Sequence, residues 1–394
     1  MSEKQIVICH PVRTAIGAYN GSLKGTAATD LGAAVVRETV QRARLRPELI
    51  GQVVFGNVIQ AGLRMNSARQ AAVYGGLPTS VPAFTVNRVC GSGAQAIASA
   101  AQEVLLGYAG AAVAGGMENM DQAPYLLAQA RWGNRMGDAV ASDSMLRDGL
   151  NDAFSGEHSG WHTEDLVREF SISREKQDAW AERSQKRFSA AQAAGSFVSQ
   201  IVGIEVGSGR NKKLFDSDEA NRPDTSLASL AKLKPAFRPE GTITAGNAPG
   251  LNSGASAMIV AERSFAERNN IEPIARLVAV GVGAVDPGMF GLGPVPAVRQ
   301  VLERAGWRLQ DVERFEINEA FAAVPLAVMQ VLGIPEDIVN VDGGAIAHGH
   351  AIGATGAVLT TRLVHAMRQS GVKRGIVTLC IGGGQGIALA LEAV

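Results

Sequence analysis

Four short segments of the chain carry side chains able to do covalent chemistry. Cys90 stands in Asn87-Arg88-Val89-Cys90-Gly91-Ser92-Gly93, and Cys380 in Thr378-Leu379-Cys380-Ile381-Gly382-Gly383-Gly384-Gln385-Gly386. Between them lie Asn318-Glu319-Ala320-Phe321-Ala322 and Gly349-His350-Ala351-Ile352-Gly353-Ala354-Thr355-Gly356. A thiolate is a strong nucleophile and an imidazole can take its proton. Two thiols, an imidazole and a carboxamide, each beside small residues, suit the making and breaking of carbon–carbon bonds on thioesters.

Each residue has a distinct expected role. Cys90 follows a strand-like segment and sits where a helix should begin, and a helix N-terminus favours thiolate over thiol. Gly91 and Gly93 let backbone N–H groups approach a carbonyl oxygen. His350 can accept the thiol proton and then hydrogen-bond a developing oxyanion. Asn318 can donate its amide to an oxyanion, directly or through water. Cys380 suits proton transfer alpha to a thioester carbonyl when its pKa lies near working pH. The Gly382 N–H would complete an oxyanion hole with that of Cys90.

Taken singly, these residues also have plain structural readings: a buried thiol, a satisfied buried histidine, a turn asparagine. Cys9, in an apolar strand without a motif, is assigned to the core. His348 is given a supporting place at most, since in an extended segment its side chain points away from that of His350. A metal site is not expected. His158 and His162 are four apart and His348 and His350 two apart, but neither pair has a third ligand at a clear spacing.

The elements that hold these groups alternate between strand-like and helical, which argues for an α/β fold. The 394 residues include 46 glycines, above the usual ~7%, without a collagen-like period. Lys+Arg and Asp+Glu are both 37, so the global charge footprint of a nucleic-acid or anionic-membrane binder is missing. No apolar run reaches the ~18 residues of a membrane span. The N-terminal Met1-Ser2-Glu3-Lys4-Gln5 has neither a secretory core nor an Arg-rich transit helix, which makes the cytoplasm the expected compartment. Three cysteines without a CxxC spacing argue against a disulfide framework.

The pattern repeats. A helix read over Leu31 to Ile50 runs into the strand Gln52 to Asn57, and a helix read over Pro296 to Val312 runs into Glu313 to Glu319. Cys90 then precedes a helix from about Ser92 to Leu106, and His350 one from about Gly353 to Arg368. Each leads to a hydrophobic strand ending in glycines, at Ala112 to Gly116 and at Ile376 to Gly383. Two similar halves would bring Cys90 and His350 to equivalent places near a pseudo-twofold axis. Residues 121–244 differ in character, being more polar, with a helix from Ser173 towards Ala194. They are read as an insertion that closes over the site.

These segments, with Val12 to Gly17, Gly56 to Val58, Gly115 to Met120 and Thr244 to Asn247, resemble the thiolase family over essentially the whole chain. The resemblance implies a thiolase fold, two βαβαβαββ halves in α-β-α-β-α layers with an inserted loop domain. The divisions would be 1–120 plus 245–272, 121–244 and 273–394. It implies ping-pong acyl transfer: Cys90 carries the acyl group, His350 activates it, and Cys380 moves the proton on the second acetyl-CoA. Asn318 (through water) and His350 would hold the enolate oxygen, and the amides of Cys90 and Gly382 the other oxyanion. Acetyl-CoA, acyl-CoA and 3-ketoacyl-CoA would be substrates, with no cofactor, in a homo-oligomer (tetramer or dimer) of fatty acid metabolism. Arg222, Ser229, Ala245 and His158 match CoA-contact positions, and Arg210, Lys212 and Lys213 form a nearby basic patch.

Departures bear on substrate choice. Ser159 and Phe290 replace methionines of short-chain members, Pro249 replaces a serine, and Ala351 a proline. The rival readings are a decarboxylating ketoacyl synthase, which normally lacks the second cysteine, and a non-catalytic acyl-CoA or lipid-binding relative, which would be expected to have lost one of the four groups.

Overall fold

A computed structural model describes residues 4–394; Met1 to Glu3, part of the segment read for a leader, lie outside the described residues. The first half contains β1 (Ile6–Thr14), α1 (Ala28–Arg42), β2 (Gln52–Gly56), α2 (Ser67–Tyr74), β3 (Ala83–Val86), α3 (Ser92–Leu105) and β4 (Ala111–Asn119). The insertion contributes α4 (Ser159–Glu169) and α5 (Arg174–Ala193), and β5 (Asn252–Glu262) returns to the first half. The second half contains β6 (Ala275–Ala284), α6 (Pro294–Ala305), β7 (Arg314–Ile317), α7 (Ala323–Leu332), α8 (Thr355–Ser370), β8 (Arg374–Ile381) and β9 (Gln385–Ala393).

Several helix ends differ from those read in the sequence. α1 stops at Arg42, because Arg44 takes a left-handed φ of 50° and Pro47 opens a separate 3₁₀ turn. α6 stops at Gly306, whose φ of 67° gives a left-handed cap. α5 starts as its sequence suggests, with the Ser173 side chain accepting from the Lys176 amide.

The strands form one hydrogen-bonded path in the order β7-β8-β9-β6-β1-β5-β4-β2-β3. The halves join where Ile6, Val7 and Ile8 pair with Leu277, Arg276 and Ala275. Side chains alternate across each strand. On β4, Ala111, Val113 and Met117 face the layer of α1 and α2, while Ala112 and Ala114 face α3. On β8, Ile376 and Cys380 face α6 and α7, while Val377, Leu379 and Ile381 face α3 and α8. The result is five layers, α1/α2, sheet, α3/α8, sheet, α6/α7, with α3 and α8 sharing the middle one. Each fully buried Val, Leu or Ile contributes about 1.5–3 kcal/mol here.

The insertion is bolted to the second half through Glu319, just after β7. That buried carboxylate accepts from Trp180 Nε1 (2.9 Å) and Ser184 Oγ (2.8 Å) on α5, and from Asn340 Nδ2 and the Ile346 amide. Among the described residues, no helix is long and apolar enough to cross a membrane.

Candidate active site

Cys90 is set by its own loop. The Asn87 side chain accepts from the Val89 amide (2.9 Å); Ser92 Oγ donates to the Val89 carbonyl (2.7 Å) and accepts from the Arg88 amide (2.9 Å). Val89 has a φ of 44°, costly for a β-branched residue and typical of a strained functional turn. α3 begins at Ser92, two residues after Cys90, with Gly91 as its cap. The expectation of a thiolate is corrected by burial. The thiol is pushed up to about 11 by desolvation, and the charge of Glu118 adds to the rise, against the N–H groups of Gly382 and of Cys90 itself. The resting group is a thiol, so a base must take its proton.

His350 sits five residues before α8 rather than at its first turn. Its amide donates to Asn252 Oδ1 (2.8 Å), fixing the backbone from strand β5. Its Nδ1 lies 2.8 Å from Thr355 Oγ1, whose single hydrogen is donated to the Ala351 carbonyl (2.8 Å). Thr355 must therefore accept from His350, which puts the ring proton on Nδ1 and leaves Nε2 unprotonated, an acceptor. Burial lowers the imidazole to about 4, so it is neutral and able to act as a base. Asn318 Nδ2 faces His350 Nε2 at 3.4 Å, and Asn318 Oδ1 is buried without a hydrogen-bond partner. His348 lies on a short helical turn rather than in an extended segment, and is buried with both ring nitrogens unpartnered.

Cys90, His350 and Gly382 open onto one chamber of about 220 Å³. Cys380 is fully buried and lies off its wall, packed with the α6/α7 core. Its thiol is raised well above its ordinary value, first by burial and then by the proximity of Cys90 as a second ionisable thiol. The expectation of a thiol poised near working pH is thus corrected for the resting protein. Asn318 lies off the chamber wall, with its Nδ2 against His350 Nε2.

Of the residues matched to CoA contacts, His158 is on the chamber wall. Its Nδ1 accepts from the Gly160 amide, and its ring stacks on Phe237 at 4.6 Å, which meets Phe321 edge-on at 5.9 Å. Arg222, Ser229 and Ala245 lie off the chamber. Arg222 Nη1 donates to the Ala245 carbonyl (3.3 Å), and Ser229 closes a capping box with Ser226. The chain then runs from Ala245 into Ala248, Pro249 and Gly250, which do line it. Ser159 Oγ donates to the Leu150 carbonyl (2.6 Å) at the mouth of an adjoining cavity of about 140 Å³.

Sequence reasoning missed Thr355, Asn252 and Glu118. Thr355 and Glu118 lie inside the glycine-rich segments quoted above, so their placement beside the site was signalled but their roles were not. Asn252 carries no local signal.

A half-buried thiol and a neutral imidazole on one chamber, held in a layered double-half fold, define a cysteine–histidine acyl-transfer protein. Comparison with known proteins places it more closely. The thiolase N-terminal domain matches residues 6–264 and the thiolase C-terminal domain residues 271–393. The chain is 47% identical over 390 residues to the acetyl-CoA acetyltransferase of Escherichia coli (strain K12), covering 99% of each. It is 48% identical over 393 residues to the beta-ketothiolase BktB of Cupriavidus necator, covering 99% of this chain and 100% of that one. The crystal structure of the Bacillus anthracis acetyl-CoA acetyltransferase superimposes with a TM-score of 0.97 at 40% identity, covering 100% of this chain and 99% of that one. The chain belongs to the thiolase family.

Proposed function

We propose that this thiolase catalyses reversible acyl transfer between acyl-CoA and acetyl-CoA through an acyl group on Cys90. The observation that carries the reading is the His350 tautomer: Thr355 holds the proton on Nδ1, so Nε2 is left unprotonated on a ring that lines the same chamber as Cys90. In thiolysis, Nε2 takes the Cys90 proton and Sγ attacks the 3-keto carbonyl, with the oxyanion held by the amides of Cys90 and Gly382. The C2–C3 bond then breaks, its electron pair going to C2, which Cys380 protonates as acetyl-CoA forms. The enolate oxygen is held by the protonated His350 and, through water, by Asn318. CoA thiol attacks the acyl-enzyme in the second half, and condensation runs these steps backwards. No metal or prosthetic group enters any step.

The acyl-CoA thioester arm is read as entering past His158, Phe237 and Pro249, with Arg222, Ser229 and Ala245 further out towards the nucleotide. We read residues 121–244 as the inserted domain and the protein as a cytoplasmic homo-oligomer of fatty acid metabolism. Tyr125, Leu127, Trp132, Met136 and Val140, all exposed apolar residues of that insertion, support the oligomer. The small Ser159, its hydroxyl turned to Leu150, supports acyl groups longer than acetyl in the adjoining cavity.

The test is CoA-dependent thiolysis of 3-ketoacyl-CoA substrates of increasing length, with products identified by mass spectrometry. Acetyl-CoA should appear together with the shortened acyl-CoA, and Ser159→Met should shift preference to the shortest substrate. Binding without acetyl-CoA at any length would overturn the reading.

A further inference from the structure

The Glu118 side chain is fully buried next to the chamber and takes no part in the steps above. Four neutral donors converge on it. Asn57 Nδ2 (2.8 Å) and the Ile59 amide (3.3 Å) bind Oε1; the Val58 and Gly353 amides, each at 3.0 Å, bind Oε2. No cation helps to hold the charge.

The donors belong to two different supports of the site. Val58 and Ile59 pack with Met120, Met145 and Ile352 into the small apolar cluster on which Cys90 rests. Gly353 lies three residues after His350, and the Asn252 side chain fixes the other end of that turn at the His350 amide. The approach is tight: a Cβ on Gly353 would sit 2.7 Å from Glu118 Oε2 and 2.9 Å from Asn57 Cα.

Resting on the roles given above to Cys90 and His350, we propose that Glu118 is a positioning residue. Its ionised carboxylate clamps the Val58–Ile59 segment to the Gly353 turn, so fixing thiol against imidazole.

A carboxylate offers about four lone-pair sites, and all four are used. Protonation turns one acceptor into a donor facing another donor, and the clamp loosens. Burial, outweighing the hydrogen bonds, raises the carboxyl to about 7, so this loosening falls in the neutral range. The surroundings are otherwise uncharged: Asn57 to Ile59, Gly353 and the strand partner Gly254, with Cys90 as the titratable group that feels the charge. His350 stays neutral down to about 4, so activity lost between pH 8 and 6 reports Glu118 and not the base.

Three variants test this: Glu118→Gln, Glu118→Asp and Gly353→Ala, each checked for folding by circular dichroism. The first readout is the pH dependence of Cys90 alkylation by iodoacetamide, located by peptide mass, which needs no acyl-CoA turnover. The second is the pH profile of kcat for thiolysis. Glu118→Gln should lower the alkylation midpoint, cut kcat roughly tenfold at pH 8 and remove the acid limb near 7. Glu118→Asp should recover part of the rate and the limb. Gly353→Ala, which keeps the charge but pushes the turn, should lower kcat and leave the alkylation midpoint in place. A folded Glu118→Gln protein with the wild-type midpoint and limb overturns the proposal. If that variant does not fold, wild-type kcat in Gly353→Ala overturns it. If no form turns over acyl-CoA, the acyl-transfer reading fails by itself, and the clamp is then judged on the rate of Cys90 alkylation at pH 8: an unchanged rate in both Glu118→Gln and Gly353→Ala overturns it.

Discussion

Gly93 and Gly356 face each other across the crossing of α3 and α8. A Cβ on Gly93 would lie 2.6 Å from the Ala357 amide nitrogen, and one on Gly356 would lie 2.3 Å from that of Ala94. The helices that follow Cys90 and His350 therefore touch backbone to backbone.

Either glycine should resist the smallest enlargement. Gly356→Ala must push the two helices apart, at a cost of about 1–3 kcal/mol from overpacking. Thermal melts should show the loss, and kcat should fall by more than stability alone explains, because the displacement separates the segments that carry Cys90 and His350. Wild-type melting and turnover would show that the crossing tolerates movement.

The two cysteines should fail differently. Cys90→Ser should form no acyl-enzyme, whereas Cys380→Ser should still gain one acyl mass yet lose carbon–carbon exchange by a factor of about 100 or more, as expected for a lost general acid–base. Intact-protein mass spectrometry after mixing with acyl-CoA separates the cases. Unaltered exchange in Cys380→Ser removes that thiol from the mechanism.

Thr355→Val keeps the side-chain shape and deletes the acceptor of the His350 Nδ1 proton. A buried donor left without a partner costs about 1–3 kcal/mol, here by releasing the imidazole to the wrong tautomer. The expected loss is about tenfold to a hundredfold in acylation rate with KM little changed, and Thr355→Ser should restore most of it. Nitrogen NMR of the ring would show the tautomer directly.

His350 also links stability to pH. Its folded pKa, about 4, lies below the ordinary 6.5, so the unfolded chain binds the proton first as pH falls. The contribution is complete above 6.5 and is lost progressively towards 4. Between pH 7 and 4.5, urea melts of His350→Asn should gain about 2–3 kcal/mol relative to wild type. A constant difference would mean that the ring is not buried as neutral imidazole.

How much of this was legible in the sequence follows from the physics of each position. The glycines at 56, 93, 116 and 356 mark places where backbones approach too closely for a Cβ, so the motifs around Cys90 and His350 stand out. Ser173 capped its helix as its type predicts. Arg44, by contrast, ends α1 by a left-handed turn that its residue type does not announce. The state of Cys90 was misread because a helix N-terminus can be seen in sequence, whereas the depth that outweighs it cannot. Thr355 and Asn252 gain their roles only when a turn and a distant strand are brought to His350.

The middle layer has a consequence for how the molecule comes into being. Ile97 and Val104 of α3 find cover beside Leu359, Leu363 and Leu379, which are made last. A nascent chain finished through Glu262 has every strand of its first half but lacks the cover for that inner face. During the synthesis of the remaining residues it carries an apolar face in search of contacts, and it stays a natural client for chaperones until α8 arrives.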